Sequence, residues 1–230
     1  MAAKNDLMTN IQQVADDFYN IKQAIINKGI EIPDGTKTSE YGNLINNLSS
    51  QELVTDKLIF ALSNIDFTNY SSLSKGNLGY ASTLGLPIGV AERTLEVVDK
   101  CGTVSNFLFC YGSGSNGKLF SLTQDEFVGY NNSCSYANMN EIIGTTRHIV
   151  VTVYDKNISI YTNNKLVIST TLAYSCNPSD SIVSLNSFNQ NTPINTSDSH
   201  LYELRFYNKI LNNDEINNNF QIFSKKYIFE

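Results

Sequence analysis

The stretch RHIVVTVYDKNISIYTNNKLVIST, residues 147–170, decides the fold. Ile149, Val151 and Val153 occupy every second position of its first part, and this period-two alternation is typical of a β-strand. The letters DKN form one turn. Asn163 and Asn164 form the next, because asparagine tolerates the positive φ angles of a type I′ hairpin turn. The segment therefore predicts three consecutive antiparallel strands.

The same pattern recurs from residue 57 onward, as aromatic and β-branched runs separated by Gly, Asn, Asp and Ser. No helical periodicity lies between these runs, which excludes alternating βαβ units, and such a series is typical of an antiparallel sandwich or jelly roll. Residues 63–92 give no clear pattern. The predicted strands are 57–62, 93–100, 106–112, 118–123, 126–130, 147–154, 158–162, 165–171, 181–188 and 201–207.

The C-terminal stretch HLYELRFYNKILNNDEINNNF, residues 200–220, combines the last strand with a helix start. Alternation predicts that Tyr202, Leu204 and Phe206 lie on one face, opposite Leu201, Glu203 and Arg205. Asn212 fits an N-cap that pairs with Glu215 in a capping box, while Leu211 and Ile216 form a hydrophobic staple. Acidic residues in a first helical turn are favoured by the helix dipole. The pair Asp214 and Glu215 is therefore interpreted as structural.

Residues 1–52 are predicted to form a helical attachment or oligomerisation segment that precedes a β-domain over residues 53–230. The apolar positions of the first helix follow an unbroken heptad, with β-branched residues on both layers, which favours three strands of a coiled coil over two. A single amphipathic helix lying on its own domain explains the same spacing. The seam consists of Leu7, Ile11, Val14, Phe18, Ile21 and Ile25, and a second helix carries Tyr41, Leu44, Ile45 and Leu48.

Composition excludes several partners. A net charge of -6 with a pI near 4.9 argues against nucleic acid, because a phosphate-backbone binder needs clustered Lys and Arg. The sequence begins without the pattern of a secretory signal and contains no apolar run of about eighteen residues, so we expect synthesis in a cytosol and no membrane partner. Cys101, Cys110, Cys134 and Cys176 lack metal-ligand spacing and are predicted to be mostly packed thiols.

Two sets of motifs resemble known families. Lys22, Ala24, Ile25, Lys28, Gly29 and Pro33 resemble a helix-loop-helix of bacteriophage and prophage tail, fibre and baseplate proteins. The β-domain resembles the laminin-G-like, concanavalin A-like lectin/glucanase superfamily in two blocks, with Asn164 at a turn position where that family usually has Gly. The first block is Arg147, His148, Thr152, Asp155, Tyr161 and Asn163; the second is Arg205, Tyr207, Asn208, Leu211, Glu215 and Ile216.

The sequence shows no paired acids of the kind that a retaining glycosidase requires. Asp125 and Glu126 are adjacent on a strand and point to opposite faces, and Glu203 stands alone. We therefore expect no catalytic residues, no resident cofactor and no metal. Calcium is the one ion that the resemblance leaves open, with Asp125 and Asp198 as donors. His148 is interpreted as a structural histidine within a strand, and the protein is predicted not to be an enzyme.

Aromatic and amide side chains are concentrated in the loops, and this combination suits carbohydrate, because aromatic rings stack on sugars while amides bind hydroxyls. The resemblance implies a tail-fibre or baseplate protein of a virion that binds host cell-surface glycan, as a homotrimer among other tail proteins. A structural particle protein without a glycan ligand is the alternative, and a glycan hydrolase is the third class. The predicted carbohydrate-binding residues are Tyr111, Asn116, Tyr130, Asn131, Asn132, Tyr136 and Asn189.

Overall fold

The computed structural model separates into two compact units, Met1–Leu53 and Val54–Glu230. The sequence predicts the boundary one residue earlier, after residue 52. The structure describes residues 2–27, 32, 35–37, 40, 52–66, 77–100, 102, 107–113, 117–123, 126–129, 134–135, 144–185, 187–188, 192–193 and 200–229.

The first unit contains the helix α1, Ala2–Asn27. Three residues of the predicted heptad seam are exposed in the single chain: Val14 at 53%, Phe18 at 38% and Ile21 at 37%. The second predicted helix, with Tyr41, Leu44, Ile45 and Leu48, lies outside the described residues. Within the described part of the chain, no helix combines the length and the hydropathy that a membrane span requires.

The second unit is mainly β and antiparallel, as the sequence predicts. Its described strands form two six-stranded sheets and one small pair. Sheet A has the order β1-β14-β3-β8-β9-β10, sheet B has the order β2-β11-β4-β5-β6-β7, and β12 pairs with β13. The strands are β1 Leu58–Asp66, β2 Asn77–Tyr80, β3 Arg93–Lys100, β4 Phe107–Gly112, β5 Leu119–Thr123, β6 Glu126–Val128, β7 Cys134–Ser135, β8 Thr146–Tyr154, β9 Asn157–Thr162, β10 Lys165–Thr171, β11 Ile182–Ser184, β12 Ser187–Phe188, β13 Thr192–Pro193 and β14 His200–Tyr207.

The two sheets pack face to face around an aromatic core. Phe206 of β14, in sheet A, lies with its ring centroid 5.6 Å from those of Phe109 and Phe120 and 6.1 Å from that of Tyr111, all in sheet B. Each of these four rings is at most 1% exposed. The hydrophobic effect that drives this burial holds the sandwich together.

The prediction of three consecutive antiparallel strands in residues 147–170 is confirmed. β8, β9 and β10 pair in sequence order, and Asn163 and Asn164 have φ angles of 47° and 63°, as a type I′ turn requires. The prediction that Leu201 lies on the opposite face of β14 from Leu204 and Phe206 is wrong, because all three side chains lie in the core. The register of β14 against β3 shifts between Leu201 and Glu203, and this bulge turns Leu201 to the inner face.

The C-terminal helix α2, Asn213–Ser224, begins as the sequence predicts. The Asn212 side chain accepts from the Glu215 N–H at 3.0 Å, and the Glu215 carboxylate accepts from the Asn212 N–H at 3.0 Å. Leu211 and Ile216 are buried in one hydrophobic cluster, which is the predicted staple. The capping box and the staple together fix where the helix starts.

A buried polar cluster attaches α2 to the outer face of sheet A. Its centre is Glu96 of β3, which is 1% exposed and receives three hydrogen bonds. One carboxylate oxygen lies 2.9 Å from His148 Nε2, and the other accepts from the Tyr207 hydroxyl at 2.8 Å and from Asn219 Nδ2 at 2.9 Å. Arg205 Nε lies 3.7 Å from the same carboxylate. His148 is therefore a structural residue, as predicted, and it is fully buried.

Candidate functional site

The turn between β9 and β10 is held in place by backbone and side-chain hydrogen bonds. The Asn163 N–H donates to the His148 carbonyl at 2.8 Å, and Asn163 Oδ1 accepts from the His148 N–H at 2.9 Å. This leaves the adjacent Asn164 side chain directed toward the start of α2. The turn is thus a fixed element from which side chains can be presented.

Two hydrogen bonds connect this hairpin to α2. The Tyr161 hydroxyl donates to Asn213 Oδ1 at 3.0 Å, and Asn164 Nδ2 donates to Asn217 Oδ1 at 2.7 Å. Asn213 and Asn217 are four residues apart, so they lie on the same face of the helix, one turn after the other. The two bonds therefore hold the first turns of the helix beside the hairpin.

Between the hairpin and the helix lies an open cavity of about 360 Å³, which we call the hairpin–helix cavity. This volume falls within the range of about 300–1,000 Å³ that is usual for small-molecule sites. Tyr161 and Leu166 are cross-strand partners, and Leu166 is 54% exposed while Ile216 is fully buried. The apolar lining is Tyr161, Leu166 and Ile216, and the polar lining is Asn164, Asn213, Asp214 and Asn217.

Charges around the start of α2 are mainly negative. Lys209 Nζ donates to Glu215 at 2.5 Å and to Asp56 at 3.0 Å, so two carboxylates share one ammonium group. Burial lowers the pKa of Lys209, but its bonds to Glu215 and Asp56 outweigh this and raise the pKa overall. The hydrogen bond from Lys209 lowers the pKa of Asp56. Asp214, which lines the cavity, has no ion-pair partner among the described residues.

The structure places one of the predicted sugar-binding residues, and it is in the core. Tyr111 is 1% exposed and donates from its hydroxyl to the Pro87 carbonyl at 2.9 Å. Burial raises the pKa of this tyrosine. Its ring packs on other aromatic rings between the two sheets, so it cannot serve as a stacking surface for a sugar, contrary to the expectation from the sequence. The reason is register, because Tyr111 points inward from β4.

The other six predicted sugar-binding residues lie outside the described residues, and their role stays a prediction. They are Asn116, Tyr130, Asn131, Asn132, Tyr136 and Asn189. Asp125 and Asp198, the two donors available to a calcium ion, also lie outside them. Within the ranges that the structure describes, no three His, Cys, Asp or Glu side chains are grouped to hold a metal ion.

Two further expectations concern single side chains. The Glu203 carboxylate accepts from Lys226 Nζ at 2.7 Å and from the Tyr227 hydroxyl at 2.9 Å, so this acid connects β14 to the residues that follow α2. Cys110 and Cys176 are reduced and buried, as predicted. Burial raises the pKa of the Cys176 thiol to about 11 despite the nearby Arg93 guanidinium. This thiol is therefore protonated at neutral pH and is not a reactive nucleophile.

The sequence prediction missed the hairpin–helix cavity, although both resemblance blocks contribute to it. Tyr161 belongs to the first block and Ile216 to the second. The two segments are about fifty residues apart in the chain and meet because α2 folds back over sheet A. The usable signal was the presence of an aromatic residue and paired asparagines in a hairpin turn, together with a second group of asparagines at a helix start.

No protein-family model and no curated protein sequence matches the chain. Solved structures similar to it include a Trypanosoma rangeli sialidase in complex with a difluorinated KDN, with 17% identity and a TM-score of 0.45 over 60% of this chain and 24% of the sialidase chain. They also include botulinum neurotoxin type C, whose cell entry depends upon interaction with two ganglioside molecules, with 13% identity and a TM-score of 0.40 over 57% of this chain and 36% of that chain. The ligand binding domain of botulinum neurotoxin serotype D, in complex with N-acetylneuraminic acid, has 10% identity and a TM-score of 0.43 over 57% of this chain and 36% of that chain.

The chain thus spans about a quarter of the sialidase and about a third of each toxin chain. At these identities and TM-scores the likeness assigns neither an activity nor a ligand to this protein. It does correct the prediction that the chain is not an enzyme: the structures similar to it include sialidases, so a non-enzymatic role is no longer assumed.

Proposed function

We propose that the chain binds carbohydrate in the hairpin–helix cavity. The observation that carries this proposal is the lining itself, in which a tyrosine ring and a leucine stand beside three asparagines and an aspartate. An aromatic ring packs on the apolar face of a pyranose, while amide and carboxylate groups exchange hydrogen bonds with its hydroxyls.

The amide groups are only partly used by the protein. Each of Asn164, Asn213 and Asn217 contributes one polar atom to the two bonds that connect hairpin and helix. The Nδ2 groups of Asn213 and Asn217 and the Oδ1 atom of Asn164 then remain for a ligand. A sugar hydroxyl both donates and accepts, so a mixed set of amide donors and acceptors suits it.

The sequence resemblances support a particular biological setting. These resemblances imply that the β-domain is a concanavalin A-like jelly roll carried by a phage tail fibre or baseplate. They also imply that its ligand is a glycan of the host cell surface. On this proposal the protein belongs to the virion and contacts other tail proteins. The other predicted contacts, Asn116, Tyr130, Asn131, Asn132, Tyr136 and Asn189, lie outside the described residues and remain candidates for additional glycan contacts.

The first prediction concerns Tyr161. Tyr161→Ala removes the ring and the bond to Asn213, and we expect it to weaken glycan binding about tenfold, which corresponds to roughly 1.4 kcal/mol. Tyr161→Phe keeps the ring, and we expect it to bind within about threefold of the wild-type chain. Binding is measured by screening a glycan array with the full chain and then titrating the strongest saccharide, with circular dichroism to verify folding.

Tyr154→Ala is the matched control, because Tyr154 is 50% exposed and lies at the opposite end of the β8–β9 hairpin. Wild-type affinity in a folded Tyr161→Ala variant would place the site elsewhere. No saccharide bound by the wild-type chain would favour the structural alternative. Analysis of the same incubations for released reducing ends shows whether the bound glycan is also cleaved.

The second prediction concerns assembly. We propose that α1 associates three chains, because Val14, Phe18 and Ile21 leave apolar surface exposed on the single helix. Three copies would raise the avidity of weak sugar sites through their high effective concentration. Light scattering on the full chain is expected to give the mass of three chains, and the triple change Val14→Asp, Phe18→Asp and Ile21→Asp is expected to give the mass of one.

Asn20→Asp adds a charge outside the predicted seam and is expected to leave the assembly intact. A wild-type chain that is monomeric at all concentrations tested would contradict the trimer. It would instead favour the single amphipathic helix that explains the same heptad.

A further inference from the structure

The hairpin–helix cavity has a charge character that defines which sugars it can take. We infer that it selects uncharged saccharides and discriminates against those that carry a carboxylate or another anionic group, with Asp214 as the discriminating residue. This inference rests on the proposed function and adds the ligand class. Of the described residues that line the cavity, none is Lys or Arg, and one is a carboxylate.

Asp214 is exposed, stands in the first turn of α2 and lines the cavity. A carboxylate only accepts hydrogen bonds, so it requires a donor from the ligand. A sugar hydroxyl or an acetamido N–H supplies that donor. An ionised ligand carboxylate supplies none and places a second negative charge beside the first.

The start of a helix by itself favours anions, so the two effects must be weighed. The helix dipole corresponds to about half a positive charge at the N-terminus. Asp214 carries a full negative charge in the same turn. Nearby, Glu215 and Asp56 share the ammonium of Lys209, and Lys57 is a second cation close to Asp56, so two positive charges are balanced by two negative ones and no surplus positive charge is left there. The negative charges therefore outweigh the dipole.

The hairpin does not reverse this balance. Lys165 is the cation nearest to the turn in sequence, but adjacent residues of a strand point to opposite faces. Leu166 lines the cavity and Lys165 does not. An anionic sugar would therefore meet amide groups, apolar carbon and a carboxylate, without a cation that compensates for its loss of water.

The test uses matched saccharides and the full chain. Neutral tetrasaccharides of glucose, galactose, mannose or N-acetylglucosamine are compared with derivatives in which the terminal 6-hydroxymethyl group is oxidised to a carboxylate. We expect the wild-type chain to bind the preferred neutral form about fivefold more tightly than its oxidised form at low salt. We expect Asp214→Asn, which keeps the shape of the side chain, to bind the neutral and the oxidised form with affinities within about twofold of each other.

Glu92→Gln is the charge-matched control, because Glu92 is exposed, precedes β3 and does not line the cavity. It is expected to change neither affinity. Equal or tighter binding of the oxidised form by the wild-type chain would overturn the inference while leaving carbohydrate binding intact, and so would an Asp214→Asn variant with an unchanged preference. Binding of none of the saccharides would overturn the proposed function itself, and the inference with it.

Discussion

Glu96→Ala is expected to lower the free energy of unfolding of the β-domain by about 3–5 kcal/mol, because it removes the centre of a buried polar cluster. The Glu96 carboxylate accepts from the Tyr207 hydroxyl at 2.8 Å and from Asn219 Nδ2 at 2.9 Å, and it lies 2.9 Å from His148 Nε2. Without the carboxylate, these groups stay buried with fewer partners. Each unsatisfied buried group costs about 1–3 kcal/mol.

The measurement is urea denaturation of the full chain, monitored by far-ultraviolet circular dichroism. Glu92→Ala is the control, since an exposed surface change is usually within about 0.5 kcal/mol. The packing of α2 against sheet A should be weakened most. Among the described residues, Asn219 makes the only direct contact of this helix with the Glu96 carboxylate, and that contact is lost. A loss smaller than about 1 kcal/mol would show that the cluster orients the helix without stabilising it.

The cluster connects the stability of the fold to the proposed site. Asn219 lies within the same helix as Asn213 and Asn217, which form the helical side of the hairpin–helix cavity. If the cluster is weakened, the helix should shift relative to the hairpin before the sandwich unfolds. A Glu96→Gln variant that stays folded is therefore expected to bind saccharide more weakly, although Glu96 does not line the cavity.

The sequence was sufficient to predict those strands, and the helix start, that depend on local residue alternation and on turn or capping residues. β3 and β10 match their predicted bounds because each has a clear alternation or a defined preceding turn. β2 was missed, since it is four residues long and contains Gly79 with a φ of 124°. A short strand with such a glycine has little of the β-branched pattern on which the prediction depends.

Contacts between distant segments were not predictable in the same way. The bulge that turns Leu201 inward arises from pairing with β3, and the sequence of β14 contains no pattern that predicts it. Asn219 was not expected in the core, although it is three residues after Ile216 and lies on the same helical face. The cavity depends on the docking of α2 against the β9–β10 hairpin. Its lining residues are ordinary loop and helix-start residues until the fold brings them together.

Phe206→Ala is expected to destabilise the β-domain by about 3–5 kcal/mol, for a different physical reason. Phe206 is fully buried, and its ring lies within 5.6 Å of Phe109 and Phe120 and 6.1 Å of Tyr111, centroid to centroid. It therefore contributes from sheet A to an aromatic group otherwise built by sheet B. Alanine leaves a cavity between the sheets that rigid neighbouring strands cannot close.

Phe206→Leu keeps most of the apolar volume and is expected to cost less than half as much as the alanine change. Both are measured by urea denaturation of the full chain, and equal losses from the two variants would contradict an origin in the lost aromatic volume.

Phe206 and Glu96 lie on opposite faces of sheet A and share no hydrogen bond or ring contact within the described part of the chain. Independent sites usually add within about 0.5 kcal/mol. The double variant Phe206→Leu, Glu96→Gln should therefore lose the sum of its two single losses. A difference of more than about 1 kcal/mol between the double loss and that sum would mean that the two sites are coupled through β14. Changes in core packing would then alter the position of the helix on the outer face, and with it the proposed sugar site.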